Sequence, residues 1–165
     1  MTAGPIISFR VFGVPQPGGS KRGFVNPRTG RVVIVEDARR NKSWRESVLQ
    51  AAVPVAPKEP LRGALFLEVT FLMPRPKGHF RTGKRAHILR EAAPLYHTSK
   101  PDATKLLRAT EDALTGILWH DDAQIAMQIV KKRYTSSNPG AEIKILPWIE
   151  GAASNVDLSP QDLFA

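Results

Sequence analysis

Apolar and polar positions along the chain fall into runs whose period separates strands from helices. Ile6 to Phe12 (IISFRVF) alternates and predicts a first strand, with Ile7, Phe9 and Val11 on one side. Gly13 to Gly23 is rich in Pro and Gly and predicts a loop. Phe24 to Val35 predicts a hairpin, because Asn26-Pro27-Arg28-Thr29-Gly30 is turn chemistry and Arg31 to Val35 is β-rich. Residues 37–52 predict a helix capped by Asp37, with Ala38, Trp44, Val48, Ala51 and Ala52 on its buried side. Three prolines between Val53 and Pro60 mark a connector. Leu65 to Met73 is the strongest strand, apolar on both faces apart from Glu68 and Thr70, which predicts a central place in a sheet.

The second half continues in the same way. Residues 74–100 predict a long connection, and such length in a compact domain points to function or flexibility. It holds Arg75, Lys77, Arg81, Lys84, Arg85, Arg90 and Lys100 against a single acid, Glu91, and predicts a flexible basic arm that orders on DNA. Pro101 and Asp102 mark a helix start and Gly116 a stop. At about 100° per residue, Ala103, Leu106, Leu107, Thr110, Ala113, Leu114 and Ile117 share one sector. Lys105, Arg108, Glu111 and Asp112 share the opposite one. Gln124 to Tyr134 predicts a strand, Ser136 to Gly140 a turn, and Ala141 to Leu146 an antiparallel partner for that strand. The fold class is therefore α+β: one domain over residues 1–150, with a mixed, mostly antiparallel sheet of five or six strands against two main helices. Residues 151–165 predict a polar C-terminal tail.

Charge narrows the picture. The 165 residues carry a net charge of +9, and only 42% are hydrophobic, an ordinary share for a folded chain. The tail holds Asp157 and Asp162 but no Lys or Arg, so the basicity belongs to the folded part. That implies an anionic partner, nucleic acid before membrane. There is no cysteine, which excludes disulfides, thiolate metal sites and a Cys nucleophile. Neither a signal peptide nor a membrane span is apparent, which leads to an expectation of a cytoplasmic protein. The histidines lack zinc-site spacing.

The acidic positions suggest chemistry. Asp102 begins a helix, Asp112 lies on its polar side, and Asp121-Asp122 follows about twenty residues after the first. Hard cations such as Mg²⁺ take oxygen ligands, usually one or two carboxylates with waters and phosphate. A divalent ion at such a cluster would promote phosphodiester cleavage, with Lys105 and Arg108 to neutralise the phosphate. Glu68 is a further candidate if its side faces the cluster. Lys21, Arg22, Lys100, Lys105, Arg81, Lys84 and Arg85 are candidate DNA contacts. Gly18-Gly19-Ser20-Lys21-Arg22 could offer backbone N–H groups and two cations to a phosphate, but it lacks P-loop spacing.

Lys100-Pro-Asp102-Ala-Thr-Lys-Leu-Leu-Arg108, Asp112-Ala-Leu-Thr-Gly116 and Trp119-His-Asp-Asp122-Ala-Gln-Ile125 together resemble the signature of the RusA family. These are crossover junction endodeoxyribonucleases of bacteria and their phages, whose pattern reads roughly P-D-x-D-N-x-x-K, then D-A-L, then D-D-x-Q. The resemblance implies a small homodimer that uses Mg²⁺, with Mn²⁺ as a substitute, to resolve four-way DNA junctions. It places the first metal-binding Asp on Asp102 and the late one on Asp122, with Asp121 beside it. The family's second Asp falls on Thr104, its Asn on Lys105 and its functional Lys on Arg108. Asp112 or Asp121 could substitute for the missing carboxylate.

The function expected is thus a Mg²⁺-dependent, structure-selective endonuclease acting in recombination and repair, with Asp102, Asp122 and Arg108 catalytic. The alternative is a junction- or duplex-DNA-binding protein whose catalysis is weakened at Thr104; a third class is an RNA binder or nuclease. Gln161-Asp-Leu-Phe164 faintly resembles the peptides that dock on a bacterial sliding clamp.

Overall fold

The computed structural model describes residues 6–18, 21–25, 27–36 and 38–148, and of residues 21–25 and 32–42 only the backbone. Among the described residues six strands and two α-helices follow in order: β1 (Ile7–Phe12), β2 (Lys21–Val25), β3 (Val32–Glu36), α1 (Ala38–Ala52), β4 (Leu65–Pro74), α2 (Ala103–Leu114), β5 (Ile125–Thr135) and β6 (Gly140–Pro147). This is the α+β class expected, with mixed pairing and two main helices. The predicted cap Asp37 and the tail, with its Gln161 to Phe164 motif, lie outside the described residues.

The strands divide into two sheets. The main one has the order β1-β6-β4-β5, and β2 and β3 pair with each other in a separate antiparallel ribbon. The predicted single sheet of five or six strands is corrected to four plus two. A second correction concerns β6. It does not return beside β5 but lies between β1 and β4, antiparallel to both. The burial of Ala141, Ile143 and Ile145 on one face suits this interior position. β4 and β5 run parallel, and the chain between them passes through α2. Such a crossover is what a parallel pair requires.

One face of the sheet carries the core. Leu65, Leu67, Val69, Phe71 and Met73 of β4 are buried with Leu106, Leu107, Ala113 and Leu114 of α2 and Trp44 and Val48 of α1. The intervening residues point the other way. Glu68 therefore faces away from α2 and pairs with Lys131 at 3.3 Å, which removes it from the candidate site. The helices are tied to each other by Trp44 Nε1, which donates to the buried Thr110 hydroxyl at 3.1 Å, and by an ion pair from Arg45 to Asp112. Gly140 is demanded by β6: a Cβ there would stand 1.9 Å from the Val11 carbonyl oxygen on the neighbouring strand.

The connection from β4 to α2, expected to be a flexible arm that orders on DNA, is folded by its own backbone hydrogen bonds. Arg81 N–H bonds to Ile88 O at 2.8 Å and Arg90 N–H to His79 O at 2.9 Å, folding residues 79–90 into a hairpin-like finger. Lys84 and Arg85 lie in a short 3-10 turn at its tip. Further on, His97 N–H bonds to Lys132 O and Tyr134 N–H to Leu95 O, both at 2.9 Å, so the connection runs along the outer edge of β5. Its order comes from backbone hydrogen bonds that the residue pattern does not display.

Candidate metal and nucleic-acid site

Helix α2 sets the geometry. Its buried residues, Leu106, Leu107, Thr110, Ala113 and Leu114, fall on the predicted sector and fix which face turns outward. Asp102 occupies the N-cap position, but its side chain makes no capping hydrogen bond. The carboxylate is 59% exposed and meets Lys105 at 3.5 Å. Its approach is anchored from β5, where Lys132 Nζ donates to Ser99 O and Pro101 O, each at 2.6 Å. Thr104 and Arg108 are exposed on the same helix. Lys100 and Lys105 line a groove beside Asp102, of about 370 Å³. The Pro/Gly loop reaches this end too, through Gly18 N–H to Lys105 O at 3.1 Å.

The other aspartates gather at the far end. Thr115 is the C-cap of α2, and Gly116 takes a φ of +81° one residue later, a conformation that suits glycine. The Thr115 hydroxyl lies against Asp122 Oδ1 and also against Glu111 O; its one proton can serve only one of them at a time. The buried Trp119 donates its indole N–H to the same Asp122 oxygen at 2.9 Å. Asp122 is thus aimed at the last turn of α2. Asp121 is differently used. Its Oδ1 accepts from Ala123 N–H at 2.8 Å while Gln124 Oε1 accepts from Asp121 N–H at 3.0 Å, a reciprocal capping box around a 3-10 turn. Gln124 also donates to Leu61 O at 2.9 Å and Gly63 O at 3.1 Å, fastening the turn to the loop before β4. The first Asp and the Gln of the D-D-x-Q motif therefore do a separate job from the second Asp: Asp121 and Gln124 build the turn that presents Asp122.

A residue that pattern reading placed only on the polar face becomes prominent here. Glu111 is pushed up to about 6 by burial, then by the neighbouring charges of Asp122 and Asp112, against the lowering effect of a hydrogen bond from Gln128. Glu111, Asp112 and Asp122 thus form an acidic end to α2, with Asp112 held by Arg45. The signals for Thr115 and Trp119 were their positions seven and three residues before Asp122; nothing in the pattern pointed to Gln128, Lys132 or Arg45.

The two ends do not meet within one chain. Twelve helical residues at about 1.5 Å each span about 18 Å, with Asp102 at one end and Asp122 at the other. The expectation that these two carboxylates share one ion inside a single chain is corrected by the rigid helix between them. Among the described residues, no three His, Asp or Glu side chains already stand where one ion could be held. Arg108 sits part-way along the helix. The Lys21 and Arg22 side chains lie outside what is described; Arg81, Lys84 and Arg85 belong to the finger.

The profile of Endodeoxyribonuclease RusA matches residues 15–146, which includes both ends of α2 and the sheet that carries them. The chain belongs to the RusA family. It is also 30% identical over 139 residues to an uncharacterized protein, YqaN, of Bacillus subtilis (strain 168), covering 84% of this chain and 94% of that one. A RusA-family chain is a member of a group of endodeoxyribonucleases, whose enzymes generally use a divalent metal. No helix among the described residues is long and apolar enough to cross a membrane.

Proposed function

We propose that this RusA-family chain is a Mg²⁺-dependent endonuclease that resolves four-way DNA junctions as a homodimer, each site drawing on both copies. The observation that carries this reading is the separation of Asp102 and Asp122 by the length of α2. An antiparallel arrangement of two α2 helices about a two-fold axis brings the start of one helix to the end of the other. Asp102 of one protomer then stands beside Asp122 of the partner subunit, with Lys105 and Arg108 close by. Two such sites related by two-fold symmetry suit a junction whose two cleavage positions are symmetric.

The donor set fits a hard cation only in this assembled form: Asp102 is exposed and uncapped, and Asp122 has one oxygen engaged by Trp119 and a second oxygen beside it. A divalent ion supplies charge neutralisation at the phosphate and a more acidic water. The chain's own residues do the rest. Lys100 and Lys105 hold the phosphate from the groove side. Arg108 offsets the negative charge that builds on the nonbridging oxygens as a water oxygen adds to phosphorus and one bridging P–O bond breaks. The basic finger follows the backbone without reading sequence, as phosphate contacts do. Participation in recombination and repair follows from that activity.

The test mixes two inactive variants. Asp102→Asn and Asp122→Asn each lose cutting of a synthetic four-way junction in Mg²⁺ while still binding it in EDTA. In mixed dimers one of the two sites is intact if the sites are shared between copies, and nicking returns. Mixing that restores nothing defeats the shared site, and undiminished cutting by either variant defeats the nuclease assignment of that residue.

Thr104 favours one second reading: a junction binder that no longer cuts, because the start of α2 offers one carboxylate, Asp102 at the N-cap, and not two. Binding without cutting in either Mg²⁺ or Mn²⁺ decides for it.

A further inference from the structure

The groove at the Asp102 end has walls that phosphate binding does not explain. Val14, Pro15 and Pro17 of the loop after β1 and Met73, near the end of β4, are among its lining residues. These are apolar. Val14 is 44% exposed, although it is followed directly by a buried proline. Gln16 is the polar group among these loop residues, and its amide has no hydrogen-bond partner among the described residues. The same groove is lined by Lys100, Asp102 and Lys105.

A groove lined by both apolar side chains and two lysines matches one part of a DNA strand. The phosphate belongs at the lysines, and the flat, largely apolar face of the base belongs between prolines, valine and methionine. At about 370 Å³ the groove is at the small end of ligand sites, which begin at about 300 Å³, and has room for a nucleobase with its sugar. A base inside a stacked duplex cannot enter such a slot. A base at a strand crossover has already lost part of its stacking, so turning it out costs least there.

We propose that this groove receives a single unstacked nucleobase of the branched DNA, adjacent to the phosphate held by Lys100 and Lys105, and that Gln16 reads its edge. The side-chain amide offers one acceptor and two donors, enough to distinguish base edges. The site would give the cut a nucleotide preference at a single position. This inference rests on the nuclease reading only for placing DNA at Asp102.

The experiment separates the two. Four-way junctions carry 2-aminopurine, a base whose fluorescence is quenched by stacking, at each position round the crossover in turn. Enough protein is added in EDTA to bind all the junction, so that no cutting intervenes. One position is expected to brighten with the wild-type chain and to stay dark with Val14→Trp, which fills the slot from an exposed position; circular dichroism checks that this variant folds. In Mg²⁺, cutting of junctions varied at that position should show a rate ratio of about tenfold between best and worst base, falling towards unity in Gln16→Ala. No brightening at any position, equal brightening in Val14→Trp, or an unchanged ratio in Gln16→Ala overturns the base site. Cutting that persists through any of these leaves the nuclease reading standing, while brightening without any cutting supports the base site and sinks the nuclease.

Discussion

The indole N–H of Trp119, a fully buried residue, donates to Oδ1 of Asp122 at 2.9 Å. A core side chain thus fixes the direction of an exposed carboxylate. The indole needs a partner because it is buried, and the carboxylate gains an orientation that a solvated aspartate would lack.

Trp119→Phe keeps most of the packing and deletes that donor. The loss of one hydrogen bond to a charged group should lower stability by about 1.5–3 kcal/mol in a urea melt. If Asp122 is a ligand, the Mg²⁺ concentration for half-maximal cutting should rise by about tenfold or more, as when outer partners of metal ligands are removed. An unchanged Mg²⁺ requirement would detach Asp122 from the ion.

Thr104→Asp adds a carboxylate to the exposed first turn of α2. An acid there also suits the helix dipole, by about 0.3–1 kcal/mol. The expected result is a Mg²⁺ requirement about tenfold lower, with an unchanged or slightly raised melting temperature. A fall in cutting would show that Thr104 is needed as it is.

Lys132 is spent inside the protein. Among the described residues its ammonium donates to two backbone carbonyls just ahead of Asp102. Lys132→Met should destabilise the chain by about 2 kcal/mol, and its cutting defect should exceed its defect in junction binding measured in EDTA. Lys132→Arg should recover part of both. A DNA-contact role predicts the reverse, a binding loss that grows with salt.

Glu111 gives stability a pH dependence. Its folded value of about 6 lies above its ordinary 4.5, so between these values the folded chain holds more proton than the unfolded one. Stability from this group is therefore highest below about 4.5, falls as pH rises through about 6, and is flat above. After allowance for solvent screening the drop is about 1 kcal/mol. Denaturant melts from pH 4.5 to 7.5 in EDTA should show that slope on top of the other carboxylates, and Glu111→Gln should remove it and be the more stable form at pH 7.5. A steeper slope in the variant would contradict the sign.

Much of this protein can be read from residue order. The outward and inward faces of α2 follow from the spacing of Leu106, Leu107, Ala113 and Leu114, since a helix has one period and burial selects one face. The strand Leu65–Pro74 declares its interior place by being apolar on both sides. The signature from Lys100 to Ile125 points to the family, because those residues are close in sequence.

The tertiary structure alone decided the partners. β6 pairs across β4 and not with β5, a choice made by which edges remain free after the parallel crossover. The same crossover brings Lys132 to the carbonyls before Asp102 and Gln128 to Glu111. Helix α2, about 18 Å long, keeps Asp102 and Asp122 at its two ends, although both belong to one short motif. Periodicity describes how a segment meets its own faces; which distant groups meet, and which are held apart, depends on how rigid elements pack.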